Sequence, residues 1–222
     1  MPEQMTVTER EQPSVHSAAI SPIVAVLRAA DASMYQPVVE VLAENGIGSI
    51  ELTLSTPGTL DALDGVKACA GEARVGVGTV TSIEQTRQVL AIGADFVVTP
   101  TTDVGIIEMV VDAGVPVYPG GLTPTELWAG WTAGATAVKV FPAALVGPDY
   151  IAHLRGPFPD IQVMPSGGVG MADAAAWISA GACAVSVGGP LIGDALRGGD
   201  LSALARRCRE LVAVVAGAEA QL

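Results

Sequence analysis

The 222-residue chain predicts an α/β fold, specifically a single-domain (β/α)8 TIM barrel, and three observations predict it. The length fits one large α/β unit, since such barrels run to about 200–250 residues as a single domain. Short β-branched runs alternate with helix-like segments ending in glycine, at about the spacing of one βα unit. Half of the residues are hydrophobic and 15% are charged, which is ample apolar material to cover both faces of a parallel sheet.

Taken in order, the strands are expected at Ile23 to Leu27, Ser49 to Leu54, Val75 to Gly78, Phe96 to Thr99, Val115 to Tyr118, Ala137 to Val140, Ile161 to Met164 and Cys183 to Val187. Gly46, Gly93, Gly114, Gly134 and Gly181 precede five of them, where a helix C-cap favours the left-handed conformation. Helical patterns lie between, at Met34 to Asn45, Ser82 to Ile92, Val104 to Ala113 and Ala172 to Ala180, with a final helix from Leu201 to Ala216. Residues 1–20 are polar without a clear period and read as an N-terminal arm or short helix, ahead of a catalytic barrel domain at 21–222. A doubly wound open sheet is the competing architecture. Against it, the first strand is not followed by G-x-G-x-x-G, and charged residues recur mid-strand on an inward face.

Composition excludes several functions. A net charge of −12, with no basic cluster larger than Arg206-Arg207-Cys208-Arg209, opposes nucleic acid and an anionic membrane surface as partners. No apolar run is long enough for a membrane span and no signal-peptide plan opens the chain, so a cytoplasmic protein is expected. Cys69, Cys183 and Cys208 are too few and too separated for a disulfide framework, and His16 and His153 too scattered for a three-ligand zinc site.

Two residues stand out against this background. Only two of the 11 basic residues are lysines, and Lys139 lies within Ala137-Val138-Lys139-Val140-Phe141-Pro142. Strand alternation puts Lys139 with Ala137 and Phe141 on one face and the two valines on the other, so the lysine faces an interior. Removal from water favours a neutral amine, the form that attacks carbonyls in Schiff-base chemistry. Glu51, in Ile50-Glu51-Leu52-Thr53-Leu54, points inward by the same parity. A nucleophilic amine and a carboxylate facing one axis suit imine formation with proton transfer; the competing reading is a buried ion pair that only compensates itself. Gly167-Gly168 and Gly188-Gly189 follow the last two strands, where barrel loops commonly hold phosphate.

The motifs Ile50-Glu51-Leu52-Thr53-Leu54, Val77-Gly78-Thr79-Val80, Val98-Thr99-Pro100, Tyr118-Pro119-Gly120, Lys139-Val140-Phe141-Pro142 and Gly156-Pro157-Phe158-Pro159 occur in an order and spacing that resemble the class I aldolases of 2-keto-3-deoxy-6-phosphogluconate (KDPG) and phosphogalactonate, a family that includes 4-hydroxy-2-oxoglutarate aldolases. The resemblance covers roughly residues 20–195. It implies a barrel that assembles as a homotrimer and cleaves a keto-acid substrate to pyruvate and glyceraldehyde 3-phosphate, with no metal or organic cofactor. It further implies that Lys139 forms the Schiff base and Glu51 moves protons. Thr79 and the Gly78 backbone would hold the pyruvyl carboxylate, Pro100 and Phe141 would wall the imine, and Gly167, Gly168, Gly188 and Gly189 would hold the phosphate.

The chain departs from that pattern twice. Leu54-Ser55-Thr56 replaces the Thr-Leu-Arg-Thr run of the gluconate branch; Arg28, in Val26-Leu27-Arg28, is the candidate for the missing cation, a feature shared with the galactonate branch. Pro190 stands where the family often has a phosphate-binding serine, removing a hydroxyl and a backbone N–H together. An unphosphorylated keto-acid or 4-hydroxy-2-oxoglutarate aldolase is therefore the alternative, and outside that class a non-catalytic phosphosugar-binding barrel or a metal-dependent epimerase. Trp128 and Trp131, three apart on one helix, read as packing or subunit contacts, and His153 as a helix residue remote from the chemistry.

Overall fold

The computed structural model describes residues 20–221. The expected arm at 1–20 lies, apart from Ile20, outside the described residues, as does His16. The strands are β1 (Ile23–Leu27), β2 (Ser49–Thr53), β3 (Arg74–Gly78), β4 (Val97–Val98), β5 (Val117–Tyr118), β6 (Gly120–Gly121), β7 (Val138–Val140), β8 (Val163–Pro165) and β9 (Val185–Val187). Between and after them come α1 (Tyr35–Glu44), α2 (Thr59–Cys69), α3 (Ile83–Ala91), α4 (Val104–Asp112), α5 (Pro124–Thr132), α6 (Tyr150–Arg155), α7 (Ala174–Ser179), the short α8 (Gly189–Ile192) and α9 (Leu201–Glu219).

All of the pairings are parallel, and they fall into a six-stranded run β5-β4-β3-β2-β1-β9 and a three-stranded run β6-β7-β8. The fifth expected strand, Val115 to Tyr118, is shortened to β5 and ends at Pro119, which has no N–H to give a neighbour; β6 beyond it is an additional short strand, and the Pro119 carbonyl accepts from Lys139 N–H at 2.8 Å. Between β8 and β9 the ladder thins to one bridge, Ser166 to Ser186, and the bond from Cys183 N–H to the Val163 carbonyl. The architecture is thus an α/β fold around a parallel, curled sheet.

Helix ends follow local chemistry. Ser82, Asp103 and Asp200 accept from the backbone N–H of Gln85, Ile106 and Ser202, which fixes the starts of α3, α4 and α9. Thr123 and Glu126 form a reciprocal capping box at α5, and these hydrogen bonds hold the Glu126 carboxyl below its ordinary value. The five helix-ending glycines named above all have positive φ. Helix α9 runs three residues beyond the expected Ala216.

Strand parity divides the core in two. Ala25, Leu27, Ile50, Leu52, Val75, Val77, Val97, Val117, Val138, Val140, Val163, Val185 and Val187 face outward into a large cluster with the helices. Val24, Phe96, Val98, Tyr118, Ala137, Met164 and Ala184 form a second, smaller cluster within the curl. Phe96 and Tyr118 meet edge to face there, with centroids 5.9 Å apart, and a side chain at Gly76 would collide with the Phe96 ring. Burial pushes the Tyr118 phenol far above its ordinary range.

Candidate active site

The inner plug ends one pleat short of the strands' C-terminal ends, and a cavity of about 220 Å³ opens there. Lys139 on β7 follows Ala137 by two residues and so keeps its inward direction; Glu51 on β2 follows Ser49 in the same way. Both are buried, at 7% and 1% exposure, and both line the cavity. No ion pair joins them; Lys67 pairs with Asp95 and Arg87 with Glu84 instead. The Lys139 Nζ instead lies 5.3 Å from the centroid of the Phe141 ring, within cation–π range. Glu51 Oε2 is buried without a hydrogen-bond partner, a condition that costs free energy and leaves an acceptor ready for a ligand or water.

Backbone features shape the rest. A Cβ on Gly78 would collide with the Glu51 carboxylate, so the absence of a side chain there is what lets Glu51 lie over β3. The next residue, Thr79, is the one non-glycine among the described residues with positive φ, at 61°. For a β-branched residue this is a strained conformation of the kind that collects at functional sites. It brings Thr79 to the cavity, where its Oγ1 accepts a long 3.5 Å hydrogen bond from Arg28 Nη2.

Arg28, Pro100, Phe141, Gly167, Gly168, Gly188 and Gly189 complete the wall with residues expected from sequence; Gly78 alone of that set lies beneath it. Gly167 and Gly168 have φ near +80°, and a side chain on either would strike Phe141 or Ala144. Pro190 lines the cavity in the first turn of α8. Val26, Val169, Ser166 and Ser186 are wall residues that sequence reasoning missed. The serines are 5% and 2% exposed and hydrogen-bonded to each other at 3.1 Å. Their signal was available, since a serine between Val185 and Val187 faces inward by the same alternation that marks Lys139.

Other conspicuous residues lie elsewhere. Trp128 is 41% exposed and stacks on Phe158 at 4.4 Å, Trp131 packs against the outer core, and His153 is exposed in the last turn of α6. The three cysteines are free thiols, and burial pushes Cys208 up to about 11. Among the described residues no group of three or more His, Cys, Asp or Glu is placed to hold a metal ion, and no helix is long and apolar enough to cross a membrane.

A buried amine and a partnerless carboxylate around one pocket can form an imine and relay a proton, and comparison with known proteins agrees with that chemistry. The chain is 33% identical to the 2-dehydro-3-deoxy-6-phosphogalactonate aldolase of Escherichia coli over 172 residues, covering 77% of this chain and 84% of that protein. It is 32% identical to the 2-dehydro-3-deoxy-phosphogluconate aldolase of Pseudoalteromonas atlantica over 198 residues, covering 88% and 92%. Its fold superposes with a TM-score of 0.80 on the KDPG aldolase of Legionella pneumophila, solved with pyruvate captured as a covalent carbinolamine, at 26% identity and covering 89% and 96% of the two chains. Residues 16–206 match the family described as KDPG and KHG aldolase, and the chain belongs to that family.

Proposed function

We propose that the protein is a metal-independent class I aldolase, a carbon–carbon lyase. It would cleave 2-dehydro-3-deoxy-6-phosphogluconate or its galactonate epimer to pyruvate and glyceraldehyde 3-phosphate. The observation that carries this reading is the pair Lys139 and Glu51, both buried on one cavity without neutralising each other. The relatives' names and the carbinolamine in the Legionella pneumophila enzyme support it.

Lys139 Nζ adds to the C2 ketone and water leaves, giving an iminium. Glu51 takes the C4 hydroxyl proton while the C3–C4 bond breaks; its electrons pass into the iminium, the aldehyde departs, and an enamine remains. Protonation at C3 and hydrolysis release pyruvate and restore the amine. Glu51 is suited to both proton transfers because Oε2 has no competing partner. Thr79, the Gly78 backbone and Arg28 take the carboxylate end, Pro100 and Phe141 wall the imine, and the glycine pairs 167–168 and 188–189 receive the phosphate. The curled sheet acts as one closed (β/α)8 barrel, a reading supported by the continuity through Pro119 and by the Ser166–Ser186 bridge.

A homotrimer fits the exposed apolar Trp128 and Leu145, and free thiols suit the reducing cytoplasm. Pro190 on the cavity wall favours a second reading, a 4-hydroxy-2-oxoglutarate or unphosphorylated keto-acid aldolase, because proline offers no N–H to a phosphate. Borohydride trapping with pyruvate, followed by intact mass and peptide mapping, tests the chemistry common to both. An adduct on Lys139 that is lost in Lys139→Ala is expected; a folded protein that yields no adduct overturns it.

A further inference from the structure

Between the loop that leaves β1 and the loop that leaves β2 lies a cluster of hydroxyls, and the reaction proposed above uses none of them. Tyr35, Thr53, Thr56 and Thr59 are all buried. Tyr35 Oη and Thr59 Oγ1 are 3.2 Å apart, and Thr59 Oγ1 reaches the carbonyls of Thr53 and Thr56 at 3.0 and 2.8 Å. The Oγ1 atoms of Thr53 and Thr56 lie 3.4 Å apart, and Ser55 Oγ donates to Thr53 Oγ1. None of these residues lines the site cavity. Buried hydroxyls cost free energy unless they are partnered, so a cluster with its members joined in this way favours a single arrangement of the two loops.

Thr56 also reaches out of the cluster, because its Oγ1 accepts from Ala29 N–H at 3.0 Å. Ala29 follows Arg28, and the peptide between them is planar, so this bond orients the plane from which the Arg28 side chain departs. On the other side of Arg28, Leu27 is held in the β1–β2 ladder opposite Leu52. The arginine backbone is thus pinned at both ends. That matters because the guanidinium has little else to fix it: among the described residues its one side-chain hydrogen bond is the long 3.5 Å contact with Thr79. A second tie between the loops, from Ala32 N–H to the Pro57 carbonyl at 3.0 Å, joins backbone atoms and does not depend on any side chain. Thr53, where the cluster meets β2, stands two residues after Glu51. The strand that presents the carboxylate therefore also carries the anchor of the cation.

We propose that Thr56 is a positioning residue whose hydroxyl sets where the Arg28 guanidinium stands relative to Glu51, and so governs the grip on the substrate's carboxylate. The proposal rests on the aldolase reading, in which Arg28 and Thr79 take that carboxylate, and it deepens that reading by naming what holds Arg28 in place. Thr56 acts through Arg28 and makes no contact with substrate.

The test compares the full-length protein with Thr56→Val, which keeps the shape and removes the hydroxyl, with Thr56→Ser, which keeps the hydroxyl, with Arg28→Gln, and with Arg28→Gln combined with Thr56→Val. Two quantities are read: the pyruvate concentration that half-saturates borohydride trapping, and KM and kcat for cleavage of the 6-phospho sugar acid. Loss of one neutral hydrogen bond predicts that Thr56→Val raises the half-saturating pyruvate concentration and KM about 3- to 10-fold, with a smaller change in kcat. Thr56→Ser should stay within about twofold of the unsubstituted protein, as expected when one hydroxyl replaces another. In the Arg28→Gln background Thr56→Val should change neither quantity further, because its effect passes through the arginine. An effect of Thr56→Val that is undiminished in that background, a Thr56→Ser variant as impaired as Thr56→Val, or unchanged affinity in Thr56→Val overturns the proposal. If Thr56→Val does not fold, Thr56→Ala removes the same hydroxyl and takes its place. Trapping on the unsubstituted protein keeps the two levels apart: an adduct whose pyruvate dependence is the same in Thr56→Val sinks the positioning role alone, whereas absence of the adduct sinks both.

Discussion

The two ends of the sheet's inner face are built from the same strands and differ by a single pleat. On β7 the step runs from Ala137 to Lys139, on β8 and beyond from Met164 to Ser166, on β9 from Ala184 to Ser186, and on β2 from Ser49 to Glu51. The earlier residues help to fill a closed interior around the Phe96–Tyr118 contact; the later ones surround an opening. The first end resembles a packed core, in which every apolar contact adds to stability. At the second, polar groups are held out of water with incomplete partners, and Glu51 Oε2 is the clearest case. Stability and chemistry are thus separated along each strand rather than between parts of the fold.

That separation can be broken from either side. Lys139→Met removes the amine in a shape the site can hold, and should abolish pyruvate trapping and lower turnover on the order of 10³-fold or more, with the fold intact by circular dichroism. Glu51→Gln keeps size and burial while removing the base; a fall in turnover of roughly 10²- to 10⁴-fold is expected, with the imine to pyruvate still formed. Trapping that fails along with turnover in that variant would show that Glu51 is needed for the imine itself. Phe96→Ala empties the opposite end and should destabilise the protein by about 3–5 kcal/mol in urea unfolding, while turnover per folded molecule is unchanged. A loss of turnover in the folded Phe96 variant would mean that the two ends are coupled. Ser186→Ala, which breaks the Ser166–Ser186 hydrogen bond, should show the smallest effect, about 0.5–1.5 kcal/mol in the same unfolding assay.

Much of this was legible before any coordinates, for a specific reason. Period-two alternation fixes direction without knowledge of partners, so Lys139 and Glu51 could be assigned inward from their valine, isoleucine and leucine neighbours alone. The same rule marked Ser186, which was passed over because serine is unremarkable beside a buried charge. Boundaries were less legible: the strand expected at Val115 to Tyr118 is reduced to β5 with an unexpected β6 beyond Pro119, and β4 is pared to Val97–Val98, since a strand's length depends on where its neighbour offers partners. The constraint on Gly78 was invisible in sequence as well, because it comes from Glu51 on the adjoining strand.

The sequence by itself determined the alternation of strand and helix, the inward direction of the two reactive side chains and the glycine turns, all of them set by local stereochemistry and hydrophobic period. Only the tertiary structure decided that Lys139 and Glu51 stand apart instead of neutralising each other, and that Thr79 takes a strained conformation beside Arg28. Distances between residues remote in the chain depend on how the sheet curls and how the loops pack, and no local rule carries that information.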